Sequence, residues 1–252
     1  GAGCMATVFA STVASQWFAS RRGLVTGVLT AASASGQLIF LPVLAGIAES
    51  VGWRMVSTVV GIATMSTVPI VILFLRNRPE DVGLLPYGAV EAASPIVSSG
   101  NPISNATSAL RDAWGTGTFW LLWGSFAVCG LSTTGLVQTH FLSAAHEHGM
   151  SHSEAGKYLA FIGIFDVVGT IASGWLTDRY DPRMLLAGYY LFRGLSLFVL
   201  DPALASGGRG LFGFIVFYGL DWVATVPPTI ALCISIFGRD RGPLVYGWVF
   251  AG

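Results

Sequence analysis

The chain has 252 residues and no net charge, with 13 basic and 13 acidic side chains. It is 53% hydrophobic and only 10% charged, against about 25% charged for a soluble domain, and its mean hydropathy of +0.68 is that of an integral membrane protein. This composition offers no basic patch for nucleic acid, and the apolar runs have helix length rather than the alternating pattern of a β-barrel.

In chain order, residues 1–18 form a first span, rich in small residues and ending on Trp17-Phe18, an interfacial signature. Arg21-Arg22 follow. Residues 24–48 are a second span, holding Gly27, Gly36, Gln37 and Pro42, and 55–75 are a third. Residues 79–117 are polar, rich in Pro, Gly and Ser, with few periodic apolar positions, and read as a linker far longer than common connections. Four further spans follow at 118–145, 155–177, 184–200 and 210–237, and a truncated fifth begins at 243. The predicted fold class is therefore an all-α membrane bundle in two parts: 1–78, the linker 79–117, and 118–252. The chain opens inside one apolar run and stops inside another, so it is expected to be a fragment of a larger protein. Cys4, Cys129 and Cys233 all lie in apolar runs and read as small buried side chains, not as a disulfide framework or metal site.

Arginine and lysine placement sets the orientation. Loops on one side carry Arg21, Arg22, Arg76, Arg78, Arg111, Arg179, Arg183, Arg239 and Arg241; the other side carries Arg54, Lys157 and Arg209. The richer set is cytoplasmic, which places the linker and the charges at 178–183 in the cytoplasm. An internal repeat fits two related halves: Phe18-Ala-Ser-Arg-Arg22-Gly23 resembles Phe237-Gly-Arg-Asp-Arg241-Gly242.

The stretch 163–183 organises the reading. Asp166 stands inside an apolar helix, twelve residues before Asp178, or roughly 18 Å of helix. That is about half of a hydrocarbon core, so Asp166 lies near the midplane if Asp178 lies at the surface. An unpaired carboxylate there costs roughly 2.5–3.5 kcal/mol or more.

These residues resemble a family. Gly174-Trp-Leu-Thr-Asp178-Arg179-Tyr-Asp181-Pro-Arg183 is similar to the cytoplasmic signature of major facilitator superfamily transporters, with Asp181 where the family usually has a second Gly. Trp17-Phe18, Arg21-Arg22-Gly23, Gly27, Gly52-Trp53-Arg54 and Arg78-Pro79-Glu80-Asp81-Val-Gly83 resemble the branch of monocarboxylate transporters and the oxalate–formate antiporter. The resemblance covers essentially the whole chain and implies roughly the fourth to the eleventh of twelve helices. Monocarboxylate transporters carry an Arg four residues after the Asp of the eighth helix; here Thr170 follows Asp166.

Asp166 is the leading candidate for a proton-binding carboxyl, against a structural acid paired to a neighbouring helix. Arg193, about 15 Å into its span, is placed to hold an anionic carboxylate or to be the permanent partner of Asp166 or Asp221. Asp221 is again near mid-depth, with Tyr218, Trp222 and Thr225 expected on one helical face, and Pro227-Pro228 should kink or break that helix. Its alternative is an ion pair with Arg193. His140, near the external end of its span, suits a pH-sensitive gate or a packing role, and mid-membrane Gln37 suits the pathway or an interhelical hydrogen bond. Asp178, Arg179 and Arg183 are expected to gate, the acid reaching a neighbouring helix N-terminus. His146, His148 and His152 read as solvated loop residues. No cofactor or metal is expected, and no nucleophile or cofactor constellation marks an enzyme.

The function these readings imply is a secondary transporter of a small organic anion, possibly a carboxylate, coupled to a proton or counter-anion. The alternatives are an exporter of drugs or neutral metabolites and a non-transporting membrane sensor. Twelve Arg against one Lys hint at a GC-rich genome and a bacterial inner membrane.

Overall fold

The computed structural model describes residues 2–76, 79–89 and 101–251, and these are helical nearly throughout. Three helices come first: α1 (Ala2–Trp17), α2 (Arg22–Val51) and α3 (Trp53–Phe74). The helix α3 is apolar on every side, contains Pro69 and has no buried residue. A 3₁₀ turn, Pro79–Val82, and the segment to residue 89 fold back on the end of α1. Tyr87 donates its N–H to Trp17 O at 2.8 Å and accepts from Ala19 N at 2.9 Å, and its ring lies 6.0 Å from that of Phe18.

The linker is not featureless. It contains α4 (Pro102–Trp114), capped by Asn101, whose side chain accepts from Ile103 N, with Pro102 in the first turn where its missing N–H costs nothing. Ala109 and Ala113 on this helix are fully buried against the following helices. The tie to the second part is polar as well: Trp248 donates its indole N–H to Ala106 O at 3.0 Å, and Arg241 pairs with Asp112.

The second part consists of α5 (Gly117–Gly130), a π-helical stretch Leu131–Gln138, α6 (Thr139–Glu147), α7 (His152–Thr177), α8 (Pro182–Phe198), α9 (Leu200–Ser206), α10 (Gly208–Asp221) and α11 (Val226–Phe250). The expected span at 118–145 is thus one long rod with a π segment at its middle, a feature that tends to mark functional sites. The helix α7 starts on a capping box between Ser151 and Glu154. Asp181, at the family's glycine position, caps α8 by accepting from Arg183 N at 2.9 Å, followed by Pro182 in the first turn. α8 and α9 meet at a 45° bend. Within α11 the chain turns at Gly238, whose φ of 83° few other residues adopt; in the other copy of the internal repeat the positive φ (57°) falls two positions later, at Arg21.

Among the described residues, four helices are long and apolar enough to cross a membrane, or five if the bent α8–α9 pair is counted as one. The chain is a multi-pass membrane protein. One apolar cluster, with Phe119, Phe126, Ile230 and Val245, fills one end of the second part; another, with Phe141, Ile162, Leu211 and Ile215, fills the other.

The two parts meet mainly where α2 crosses α7. The crossing is close because both helices present glycine. A Cβ on Gly27 would lie 2.7 Å from Thr170 O and 3.1 Å from Gly174 Cα, and one on Gly174 would run into the Gly23 carbonyl. Small residues at such crossings let backbones touch in a medium that provides no hydrophobic drive.

Candidate functional site

The break between α10 and α11 is the centre of the site, and it follows from two prolines. Pro227 and Pro228 have no N–H, so the carbonyls of Val223 and Ala224 lose their helical partners. The chain answers with a tight turn at residues 222–225. Val226 N turns back to Val223 O at 3.0 Å, which in turn frees the carbonyl of Trp222. The face expected to carry Tyr218, Asp221, Trp222 and Thr225 at helical spacing is therefore not continuous. Helix α10 stops at Asp221, and Trp222 and Thr225 belong to the turn.

Side chains from two neighbouring helices satisfy what the turn leaves open. Arg193 of α8 donates through Nη2 to Asp221 O at 2.5 Å and to Trp222 O at 3.0 Å. Ser173 of α7 donates to Ala224 O at 2.5 Å. Asp166 of α7 accepts from Val223 N at 3.1 Å. Irregular backbone at this depth is tolerated only when it is satisfied in this way or lines a cavity.

Arg193 is also ion-paired. Its Nε lies 2.7 Å from Asp221 Oδ2, and its Nη1 reaches Cys129 Sγ at 2.6 Å and Thr133 Oγ1 at 3.3 Å. It is 2% exposed and Asp221 6%, so each charge needs the other. Cys129 in turn lies 3.5 Å from Thr225 Oγ1, and Tyr218 donates to Ser132 O at 3.0 Å. Through Ser132 and Thr133 the π segment thus contributes to the same cluster. Of the two partners first considered for Arg193, the structure joins it to Asp221.

Asp166 differs from Asp221 in kind. It is 3% exposed, in the middle of α7, and has no salt bridge among the described residues. Its two hydrogen bonds, from Thr170 Oγ1 at 2.9 Å and from Val223 N, both land on Oδ1. Thr170 occupies the place at which monocarboxylate transporters have Arg, and here it serves the carboxyl as a neutral donor.

The end of α7 holds a second arrangement. Asp178, at the end of α7, accepts from Gly23 N at 2.7 Å through Oδ1 and from Leu24 N at 2.8 Å through Oδ2. A carboxylate from one part of the chain thus seats on the exposed N–H groups at the start of α2, where the helix dipole also favours negative charge. Arg179 and Arg183 do not join it. Arg179 stacks on Trp175, 3.8 Å from the ring centroid, and Arg183 is exposed at the start of α8. Beside Asp178 is a cleft of about 210 Å³, lined by Arg22 and Thr26 of α2, Thr177 of α7, and Pro227, Ala231 and Ser235 of α11 among others.

Other expected residues stand apart. His140 is exposed on α6. The side chain of Gln37 lies outside the described residues, as does that of His152. His148 bonds Ala144 O at 2.9 Å and lies 3.6 Å from Asp201. Sequence reasoning missed Cys129, Thr133 and Ser173 as members of the cluster; the Ser132-Thr133-Thr134 run inside an apolar span was the signal available for Thr133.

Comparison with known proteins gives these features a context. The family model described as Major Facilitator Superfamily matches residues 1–252. The chain is 25% identical over 236 residues to a Bacillus subtilis protein named uncharacterized MFS-type transporter YcxA, covering 92% of this chain and 54% of that one. It is 30% identical over 247 residues to MFS-type transporter hasB of Aspergillus fumigatus, covering 92% and 50%. It is 24% identical over 177 residues to monocarboxylate transporter 12-B of Danio rerio, covering 65% and 37%. The chain spans about half the length, or less, of the curated relatives it matches.

Proposed function

Because the chain belongs to the major facilitator superfamily, whose members among its relatives are named transporters and not enzymes, we propose that it is part of a proton-coupled transporter of a small organic anion. The observation that carries this reading is the contrast between two buried acids at one depth. Asp221 is held as the anion of an ion pair with Arg193. Asp166 has only neutral donors, both on Oδ1, which leaves Oδ2 to take up and release a proton as access alternates. A carboxylate substrate is the reading favoured by the branch resemblance and by the monocarboxylate transporter among the relatives. Arg193 touches such a substrate only after giving up some of its present partners, so anion contact at this residue would accompany a rearranged turn. The preference for Arg over Lys and the Bacillus relative support a bacterial inner membrane.

The test is uptake of labelled mono- and dicarboxylates into proteoliposomes holding the full-length protein, with and without an inward proton gradient. Gradient-dependent accumulation of one carboxylate is the expected result. Absence of carboxylate uptake by folded protein would turn the reading toward export or a neutral substrate.

The seat of Asp178 on the start of α2 is proposed as the cytoplasmic gate. Asp178→Asn keeps one acceptor but turns an amide group toward the second N–H and removes the charge that the helix end favours. The expected cost is about 1 kcal/mol, or a roughly fivefold shift toward the state open to the cytoplasm. Disulfide cross-linking between cysteines placed on α2 and α7 reads this shift, and an unchanged cross-linking yield would remove Asp178 from the gate.

A further inference from the structure

Where α8 bends by 45° into α9, these two helices and α10 enclose a groove of about 360 Å³. One wall is Phe192, Leu195 and Val199 and the other is Phe217, all of them exposed, so the groove opens on the surface that a membrane-spanning chain turns to lipid. Between the walls lie Gly210 and Gly213 of α10. The two glycines differ. A Cβ on Gly210 would run into Ser206 Oγ, so packing requires glycine there, whereas a Cβ on Gly213 would meet nothing within 4 Å. Glycine in a helix interior costs about 1 kcal/mol relative to alanine, and what the missing side chain at 213 leaves is room in the groove. Among the lining residues Ser196 has the one polar side chain, and its hydroxyl is spent on Arg193 O at 2.8 Å. The groove therefore offers no side-chain hydrogen bond, and whatever enters it is apolar. From Gly210 to Phe217 α10 rises roughly 10 Å, about two-thirds of one leaflet of a hydrocarbon core of about 30 Å.

The end of the groove at the start of α10 carries positive charge. Arg209, next in the chain to Gly210, is exposed and belongs to no ion pair among the described residues. It stands in the first turn of α10, whose N-cap Gly207 offers no side chain to the free N–H groups. An arginine and a helix start together favour a phosphate. Asp201, at the opposite end of α9, lies beside His148 at 3.6 Å. We propose that the groove binds an anionic phospholipid, with one acyl chain lying between α8 and α10 and the phosphate at Arg209. Phe192 and Ser196 flank Arg193 on α8, so the bound lipid braces the stretch of helix from which Arg193 reaches Asp221. The site requires only that these helices lie in a membrane, and it is independent of what the protein transports.

The test uses the full-length protein in mild detergent, mixed with equal amounts of phosphatidylglycerol and phosphatidylcholine of the same acyl composition, with retained lipid read by native mass spectrometry. The parent is expected to hold one phosphatidylglycerol about fivefold in preference to phosphatidylcholine, the effect of one basic residue worth about 1 kcal/mol. Arg209→Gln is expected to keep a lipid and lose the preference. Gly213→Phe fills the groove with a side chain and is expected to lose the retained lipid of either kind. Added phosphatidylglycerol should raise the melting temperature of the parent and leave that of Gly213→Phe in place. A parent without the preference, or a Gly213→Phe variant that holds lipid as the parent does, overturns the site. So does a lipid-free dimer that Gly213→Phe splits, which would make the groove a seat for a second copy of the chain. If Gly213→Phe does not fold, Arg209→Gln, a change at an exposed position, decides the matter, and an unchanged preference in that variant overturns the proposal.

Discussion

Asp166→Asn is expected to abolish accumulation driven by a proton gradient while exchange of the same anion across the membrane stays measurable. A gradient of about two pH units stores about 2.7 kcal/mol per proton, enough for roughly hundredfold accumulation in one-to-one coupling. Without a titrating group at position 166, the variant should stop at equal concentrations inside and out. The substitution is gentle on the fold. An Asn carbonyl oxygen can accept from Thr170 Oγ1 and Val223 N as Oδ1 does now, and a neutral amide is less costly at mid-membrane than an ionised acid. A loss of gradient-driven uptake with normal expression and normal exchange is thus a loss of coupling. Asp166→Asn vesicles that still accumulate the anion to the parent level would end the coupling scheme.

Arg193→Met should have the largest effect on stability. It leaves the Asp221 carboxylate buried without its cation, a loss of about 3–5 kcal/mol, and leaves the Asp221 and Trp222 carbonyls without donors, about 1–3 kcal/mol each if they stay dry. Against a total stability on the order of 5–15 kcal/mol, the variant should denature at much lower temperature in detergent or fail to accumulate in the membrane. Adding Asp221→Leu removes the orphaned charge and should recover part of the loss. Recovery stays incomplete because the turn carbonyls still lack Arg193. Full recovery in the double variant would mean that the ion pair, not the clamp on the turn, is what Arg193 provides. A stable Arg193→Met variant that has lost only anion binding would make Arg193 a substrate anchor instead.

The membrane architecture was legible because helix-length apolar runs report directly on hydrocarbon. Asp178 was legible for a related reason: an acid at a helix end has few uses, and a neighbouring helix N-terminus is one of them. The doublet Pro227-Pro228 announced a break, and the Arg193–Asp221 pair was one of two pairings that depth alone allowed. Depth could not choose between them, since rotation of α8 about its axis is decided by packing. The partners of the turn were hidden for another reason. Serines and threonines in apolar helices usually bond their own helix three or four residues back, as Thr177 bonds Ser173 O at 2.8 Å. Nothing in the local sequence separates Thr177 from Ser173, which instead reaches across to Ala224. Helix α4 escaped notice because its packed stripe is mostly alanine, half-buried Ala106 and buried Ala109 and Ala113, correctly spaced but too weak in hydropathy to stand out from a polar linker.

The way the two ends of the linker are fastened has a consequence for how the polypeptide is put together. Residues up to 89 are stitched to the tail of α1 through Tyr87, and α4 is fastened to the second part through Trp248, Asp112 and Arg241. Each part carries its own share of the strap, while Gly-on-Gly contact and the seat of Asp178 join the parts directly. Contacts that cross between the parts at α2 and α7 thus carry the recognition themselves, so the two parts made as separate polypeptides in one membrane are expected to find each other and assemble.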